Sequence, residues 1–311
     1  GKGANSVAGN TVLGENALDA SVSGENNTAI GKSSLTALTS GANNTAVGTF
    51  TMDANTTGQF NTGIGRGALG ANTSGHENTA LGGSALDANT TGSNNTAVGV
   101  DALGANTTAS NNVAMGRSAL SANTTGSQNT ALGRLTLTQS TTVSNNTAVG
   151  YAALRFNTSG SSCTAVGANA LDANTTGAIN DAFGVSALGA NTTGENNCAF
   201  GRFALANNTT GDSNTAMGSS ALKDNTGTQN TAFGYSALAS NTVAGSNAAV
   251  GYEALTANTT ADNNTALGTS ALRQTTTGAD NVAIGQAALD ANTTGANMVA
   301  VGRLALYGNT S

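Results

Sequence analysis

One histidine, His76, and two cysteines, Cys163 and Cys198, are the only imidazole and thiol groups in the 311-residue chain. These side chains carry most proton relays, nucleophilic attack and soft-metal ligation at neutral pH, so their scarcity limits the available chemistry. His76 has only Glu77 beside it, and a zinc site or catalytic triad lacks its raw material; it reads as a solvated turn residue. Carboxylates are more suggestive. Asp19, Asp53, Asp87, Asp172 and Asp290 hold equivalent places along the chain, as a calcium lattice would require. Gly70, Gly104, Ser121 and Ala206 break that column, so solvated side chains are the better reading. Asn-Thr-Thr triplets beginning at Asn55, Asn89, Asn106, Asn123, Asn174, Asn191 and Asn292 match the N-glycosylation acceptor pattern. Pairs such as Gly63 and Gly65 imitate half of a phosphate loop and read as turns. No catalytic, cofactor-binding or metal-binding residue is assigned, no cofactor is called for, and an enzyme is not expected.

The same residue types return at a fixed interval, which shifts attention from sites to elements. A glycine preceded by a large apolar residue occurs at Gly14 and then every seventeen residues to Gly302, with a single sixteen-residue step from Gly218 to Gly234. One coil, counted from its first Asn, reads Asn-Thr-Ala-apolar-Gly-x-x-Ala-Leu-x-Ala-Asn-Thr-Thr-Gly-x-x. Its seventeen places are called slots, first to seventeenth. The fourth slot is large and apolar in all eighteen coils, and the ninth is Leu in all but one, where Met52 stands. The first is Asn in sixteen, with Cys163 and Met298 as departures. Two apolar columns five apart do not make the stripe of an amphipathic helix. Two short extended segments per coil, divided by Gly and Asn turns, fit instead.

The expected fold is all-β: a parallel β-solenoid, or β-roll, of about eighteen seventeen-residue coils with two short strands each. Residues 1–311 then form a single continuous array, a segment of a longer protein. At ~4.8 Å per coil the stack would run roughly 85 Å. Strand alternation places the fourth and ninth slots inward and the Ala columns of the third and eighth outward, Ala97 and Ala102 among them. Stacked first-slot amides should form an Asn ladder. The short coil should lose its residue in the turn Asp224-Asn225-Thr226-Gly227, leaving Leu222 and Phe233 inward. Cys163 and Cys198, two coils apart in the first and second slots, are too distant for a disulfide. Sixth-slot side chains such as Lys32, Arg66, Arg117, Tyr151 and Tyr235 should point to solvent.

The units at residues 43–48, 94–103, 145–154 and 263–272, reading NNTAVG or NNTALG and then xx-AL in the last three, resemble the repeats of trimeric autotransporter adhesin heads. They are more similar still to the Asn-Thr-Ala-x-Gly-x-x-Ala-Leu repeats of phage tail-fibre and chaperone-terminated spike proteins. The resemblance covers almost the whole chain, although the period is seventeen where adhesin heads have about fourteen, and no stalk, anchor or chaperone domain follows Ser311. It implies a β-roll in which three chains assemble into a shaft or head exposed outside a cell or virion.

Composition agrees with a structural part. Charged residues make up 8% of the chain against about 25% in ordinary globular proteins, and Trp and Pro are absent. Ten Lys and Arg with a net charge of −6 form no basic patch for a nucleic-acid backbone. No apolar run approaches the ~18 residues of a transmembrane helix, so no membrane insertion is expected of this segment. The expected function is an extracellular structural fibre or adhesin shaft, on a cell or virion surface, self-associating as a homotrimer or longer fibre. A surface glycan or protein receptor is a further partner. The alternative is a ligand-binding surface solenoid, for glycan or for ice.

Overall fold

The computed structural model describes residues 7–310. It holds eighteen three-residue strands and no helix, from β1 (Thr11–Leu13) to β18 (Val299–Val301). The strands pair in parallel as one eighteen-stranded sheet, wound as a β-solenoid with turns of about seventeen residues. The chain divides after Ser159 into two compact units. Within each unit, identical slots stack. In the first, β5 (Thr79–Leu81) meets β6 (Thr96–Val98) with Thr79 opposite Thr96, Ala80 opposite Ala97 and Leu81 opposite Val98. In the second, β13 (Thr215–Met217) meets β14 (Thr231–Phe233) in the same register.

Each coil has one strand, not the two expected. Slots two to four, typically Thr-Ala-Val, are extended, and the fifth-slot glycine ends them with φ between +122° and +144°, a region open essentially to glycine alone. A Cβ on Gly116 would also lie 2.5 Å from the carbonyl oxygen of Gly133 in the next coil. The Ala-Leu segment is a turn. Its ninth-slot residue is left-handed in every coil, with φ of 49–55° from Leu18 to Leu306. That conformation costs a leucine roughly 1–2 kcal/mol, which full burial of the side chain offsets. The turn still bonds along the stack: the Leu86 amide donates to the Ala102 carbonyl at 3.0 Å and the Ala88 amide to the Gly104 carbonyl at 3.1 Å.

The facing of the strand is the reverse of the expected one. Third-slot alanines, including Ala46, Ala80, Ala97 and Ala131, are fully buried, as are the eighth-slot Ala68, Ala85, Ala102 and Ala119. The ninth-slot leucines lie inside with them, except Leu306 in the terminal coil, and none of the eighteen fourth-slot residues is buried. The interior is narrow. With a leucine already projecting into it from the turn, the strand opposite has room for a methyl group and no more. Coil three tests this reading. There Met52 replaces Leu, Thr51 replaces the eighth-slot Ala, and the third slot of the next coil is Gly63, where a Cβ would sit 2.9 Å from both the Met52 Cε and the Thr51 Cγ2. The longer side chain inside is matched by a smaller one facing it.

Polar columns complete the core. The Asn44 amide nitrogen donates to Asn27 Oδ1 at 3.1 Å in the preceding coil and to the Gly58 carbonyl at 2.9 Å in its own, while the Asn44 backbone amide also donates to Asn27 Oδ1 at 2.9 Å. The expected ladder is thus present, and a second one stands opposite. Twelfth-slot Asn72 donates to Asn55 Oδ1 at 3.0 Å and to the Gly75 carbonyl at 3.2 Å. Both ladders converge on the fifteenth-slot carbonyl, as at Gly75, which also accepts from Asn61 at 2.8 Å. Water is replaced on all these groups, as burial demands. A third column lies nearer the surface, where thirteenth-slot Thr73 donates its hydroxyl to the Thr90 carbonyl at 3.0 Å.

Candidate association surface

Outward projection of the second and fourth slots gives the sheet a continuous outer face of apolar residues edged by threonine. Eleven fourth-slot side chains are exposed, among them Ile64, Leu81, Met115, Phe200, Phe233 and Ile284; the other seven are half-buried. Stacking puts one such side chain at each inter-strand step of ~4.8 Å. The column changes in size along the chain. It carries Leu, Ile, Val and Met in the first unit and gathers Phe183, Phe200, Met217 and Phe233 in the second, where the Phe183 and Phe200 rings stack at 4.4 Å between centroids. Parallel sheets are normally covered on both faces, and exposed apolar patches beyond a few hundred Å² mark interaction surfaces.

The residues singled out for chemistry are scattered, and each has a structural occupation. His76 is exposed, and its Nδ1 accepts the Gln59 backbone amide at 3.1 Å. Cys163 takes an Asn place in the first-slot ladder and donates its thiol to the Gly177 carbonyl at 3.4 Å. Burial raises that thiol to a pKa of about 11. Cys198, in the second slot, is half-buried on the outer strand face; both cysteines are free. Asp290 departs from the solvated reading, being buried and held by the Arg273 guanidinium at 2.9 and 3.2 Å. Among the described residues, no three His, Cys, Asp or Glu side chains come together as metal ligands.

The triplet asparagines match the acceptor pattern through the repeat, and the repeat gives them a structural place. Asn55, Asn89, Asn106, Asn123, Asn174, Asn191 and Asn292 are the second ladder, fully buried, so a glycan cannot be attached to them in the folded chain. The threonine after each is held as well, which removes half of the array an ice surface would need. Sixth-slot Lys32, Arg66, Arg117, Tyr151 and Tyr235 are all exposed as expected, and Lys32 pairs with Glu15 at 3.1 Å. In the short coil the turn does absorb the missing residue: Asn225 still donates to the Gly227 carbonyl at 2.9 Å, and Leu222 is buried. Phe233 keeps its column, but that column faces outward. Sequence reasoning missed the apolar face because it assigned size to the interior. The overlooked signal is that the third slot is Ala or Gly in every coil but the first, where Val12 stands, whereas the fourth ranges from Val to Phe. No protein-family model, curated protein or solved structure matches the chain.

Proposed function

We propose that this chain is a self-associating structural element, the shaft or head of a fibre displayed outside a cell or virion, with the apolar outer face of the sheet as its contact between copies. The observation that carries the reading is the unbroken fourth-slot column on a sheet face that nothing in the single chain covers. A partner that covers it efficiently must present apolar groups at the same ~4.8 Å spacing, and a second copy of this chain does so in register. Three copies is the number the resemblance to trimeric β-rolls supplies, and the extracellular setting rests on it too. Alanine columns, first expected to form the contact, lie inside and have no part in it.

Sedimentation of the purified protein tests the reading. A mass of three chains is expected, falling to one chain in a variant carrying Leu81→Asp and Leu132→Asp with its circular dichroism unchanged. A folded monomer of 30.0 kDa in the unmodified protein would sink it.

A further inference from the structure

Away from the strand, slots six to eleven form a second surface, and two grooves open on it, one in each unit. The first, of about 760 Å³, is lined by Asn169, Asp172, Gly189, Phe203, Asn207 and Lys223. The second, of about 490 Å³, is lined by Phe50, Asp53, Arg66, Gly70, Ser84 and Asp87. Their construction is the same. A tenth-slot glycine, Gly189 or Gly70, contributes no side chain to the floor, and the Asp87 carboxylate reaches over Gly70, its Oδ1 2.7 Å from where a Cβ would stand. A seventh-slot phenylalanine stands one coil to one side of it and a tenth-slot aspartate one coil to the other. The order along the stack is reversed, Asp172-Gly189-Phe203 against Phe50-Gly70-Asp87. A basic side chain, Lys223 or Arg66, completes each rim. The ring and the carboxylate therefore come from coils two inter-strand steps apart, roughly 9.6 Å along the backbone stack.

We propose that these two grooves bind a neutral oligosaccharide lying along the stacking direction. The lining selects against other ligands. In the second groove the paired carboxylates Asp53 and Asp87 repel phosphates, and the cationic groups, Arg66 there and Lys223 with Arg202 over the Phe203 ring at 4.3 Å in the first, oppose a free amine. An extended peptide finds no unpaired strand edge here, because backbone groups such as the Leu69 and Ala71 amides already donate to the next coil. A pyranose suits what remains. Its apolar C–H face packs on the phenyl ring, and vicinal hydroxyls donate to a carboxylate and accept from the basic or amide group. The three coils that build each groove, about 9.6 Å along the stack, accommodate two linked sugars. This inference does not depend on self-association, since the grooves are built from the turn and not from the strand.

Titration calorimetry and saturation-transfer NMR on the full chain, with maltotetraose, chitotetraose and mannotetraose as probes, test it. At least one probe is expected to bind saturably at two sites per chain. Phe203→Ala and Phe50→Ala should each weaken one site about tenfold, and the double variant should bind at neither. A second pair keeps the test independent of the aromatic rings. Gly189→Thr and Gly70→Thr fill the floors with a residue the tenth slot already holds at Thr36 and Thr138, so the melting point should stay while binding is lost. Absence of saturable binding by all three probes, or binding that survives both double variants, overturns the proposal.

Discussion

Met52 and Gly63 show how little room a single coil allows. With the Met52 Cε 2.9 Å from where a Cβ would stand, Gly63→Ala alone overpacks the interior and should cost about 1–3 kcal/mol. Met52→Leu alone should cost under ~1.5 kcal/mol. With Thr51→Ala added, since the Thr51 Cγ2 is equally close, they restore the pairing found in most other coils, and the triple variant should melt near the parent; additive losses in a mutant cycle would show that these side chains do not share the space. Burial also decides the cysteines. Cys163 should resist iodoacetamide at pH 8 in every folded form, since its thiol is shifted up to about 11. Cys198 should react in the dissociated Leu81→Asp, Leu132→Asp variant and be protected in the assembly. At Asp87, desolvation is the main cause raising the carboxyl above its ordinary 3.8, with repulsion by Asp101 adding to it and Arg66 opposing. A raised carboxyl favours the folded chain only while protonated, so its charge weakens the fold as pH climbs past 3.8. Asp87→Asn should therefore raise the melting point at pH 7 and leave it unchanged near pH 3.

At the level of the strand and its turns, two glycine columns that look alike behave differently. Gly116 combines a φ of +133° with a carbonyl 2.5 Å from a built Cβ; Gly126 has ordinary φ, and although a Cβ there would lie still closer to the Val143 carbonyl oxygen, the coils holding Ala109, Val143, Ala244 and Ala261 show that this backbone can shift to admit one. Gly116→Ala should thus cost on the order of 1–3 kcal/mol for its φ with the steric clash added, and Gly126→Ala the steric part alone, about 1 kcal/mol, read from thermal melts. That contrast was open to view in the chain itself, because the fifth slot never varies and the fifteenth does. So were the period, the parallel stacking and the first ladder. Facing was not. Alternation along a strand relates neighbours to one another but does not say which of them is inside, and the deciding quantity, the narrow gap between strand and leucine, exists only once the coil closes. The left-handed leucine was equally hidden, since leucine seldom adopts it and only the depth of burial makes it worthwhile. Twelfth-slot asparagines read as sequons because nothing in the triplet reveals that its amide turns inward.

For the whole molecule, inside and outside can be told apart with one chemical change placed twice. Leu120 in the ninth slot and Leu132 in the fourth belong to successive coils; the first is fully buried and the second is half-buried on the outer face. Leu120→Asp brings a charge into the core and should melt the surrounding coils, costing several kcal/mol. Leu132→Asp should leave the fold intact and weaken only the contact between copies. Arg117→Ala, on the solvent side, should change stability by less than ~0.5 kcal/mol. Circular dichroism reads the first effect and sedimentation the second. Equal behaviour of the two leucine variants in both measurements would refute the assigned facing.

The sixteen-residue coil has a practical consequence. Between Gly218 and Gly234 the chain is one residue short, yet Thr215 still faces Thr231 and Met217 still faces Phe233, and Asn230 still donates to Asn214 Oδ1. Length at that corner is uncoupled from register. A corner that can lose a residue without disturbing its neighbours can also gain some, because lengthening a surface loop adds little closure entropy. The exposed Thr228, just past the buried Gly227 carbonyl that the ladders use, is accordingly the place to graft a foreign epitope or affinity tag. Each displayed copy would then be carried at a known height on a scaffold whose other coils do not register its presence.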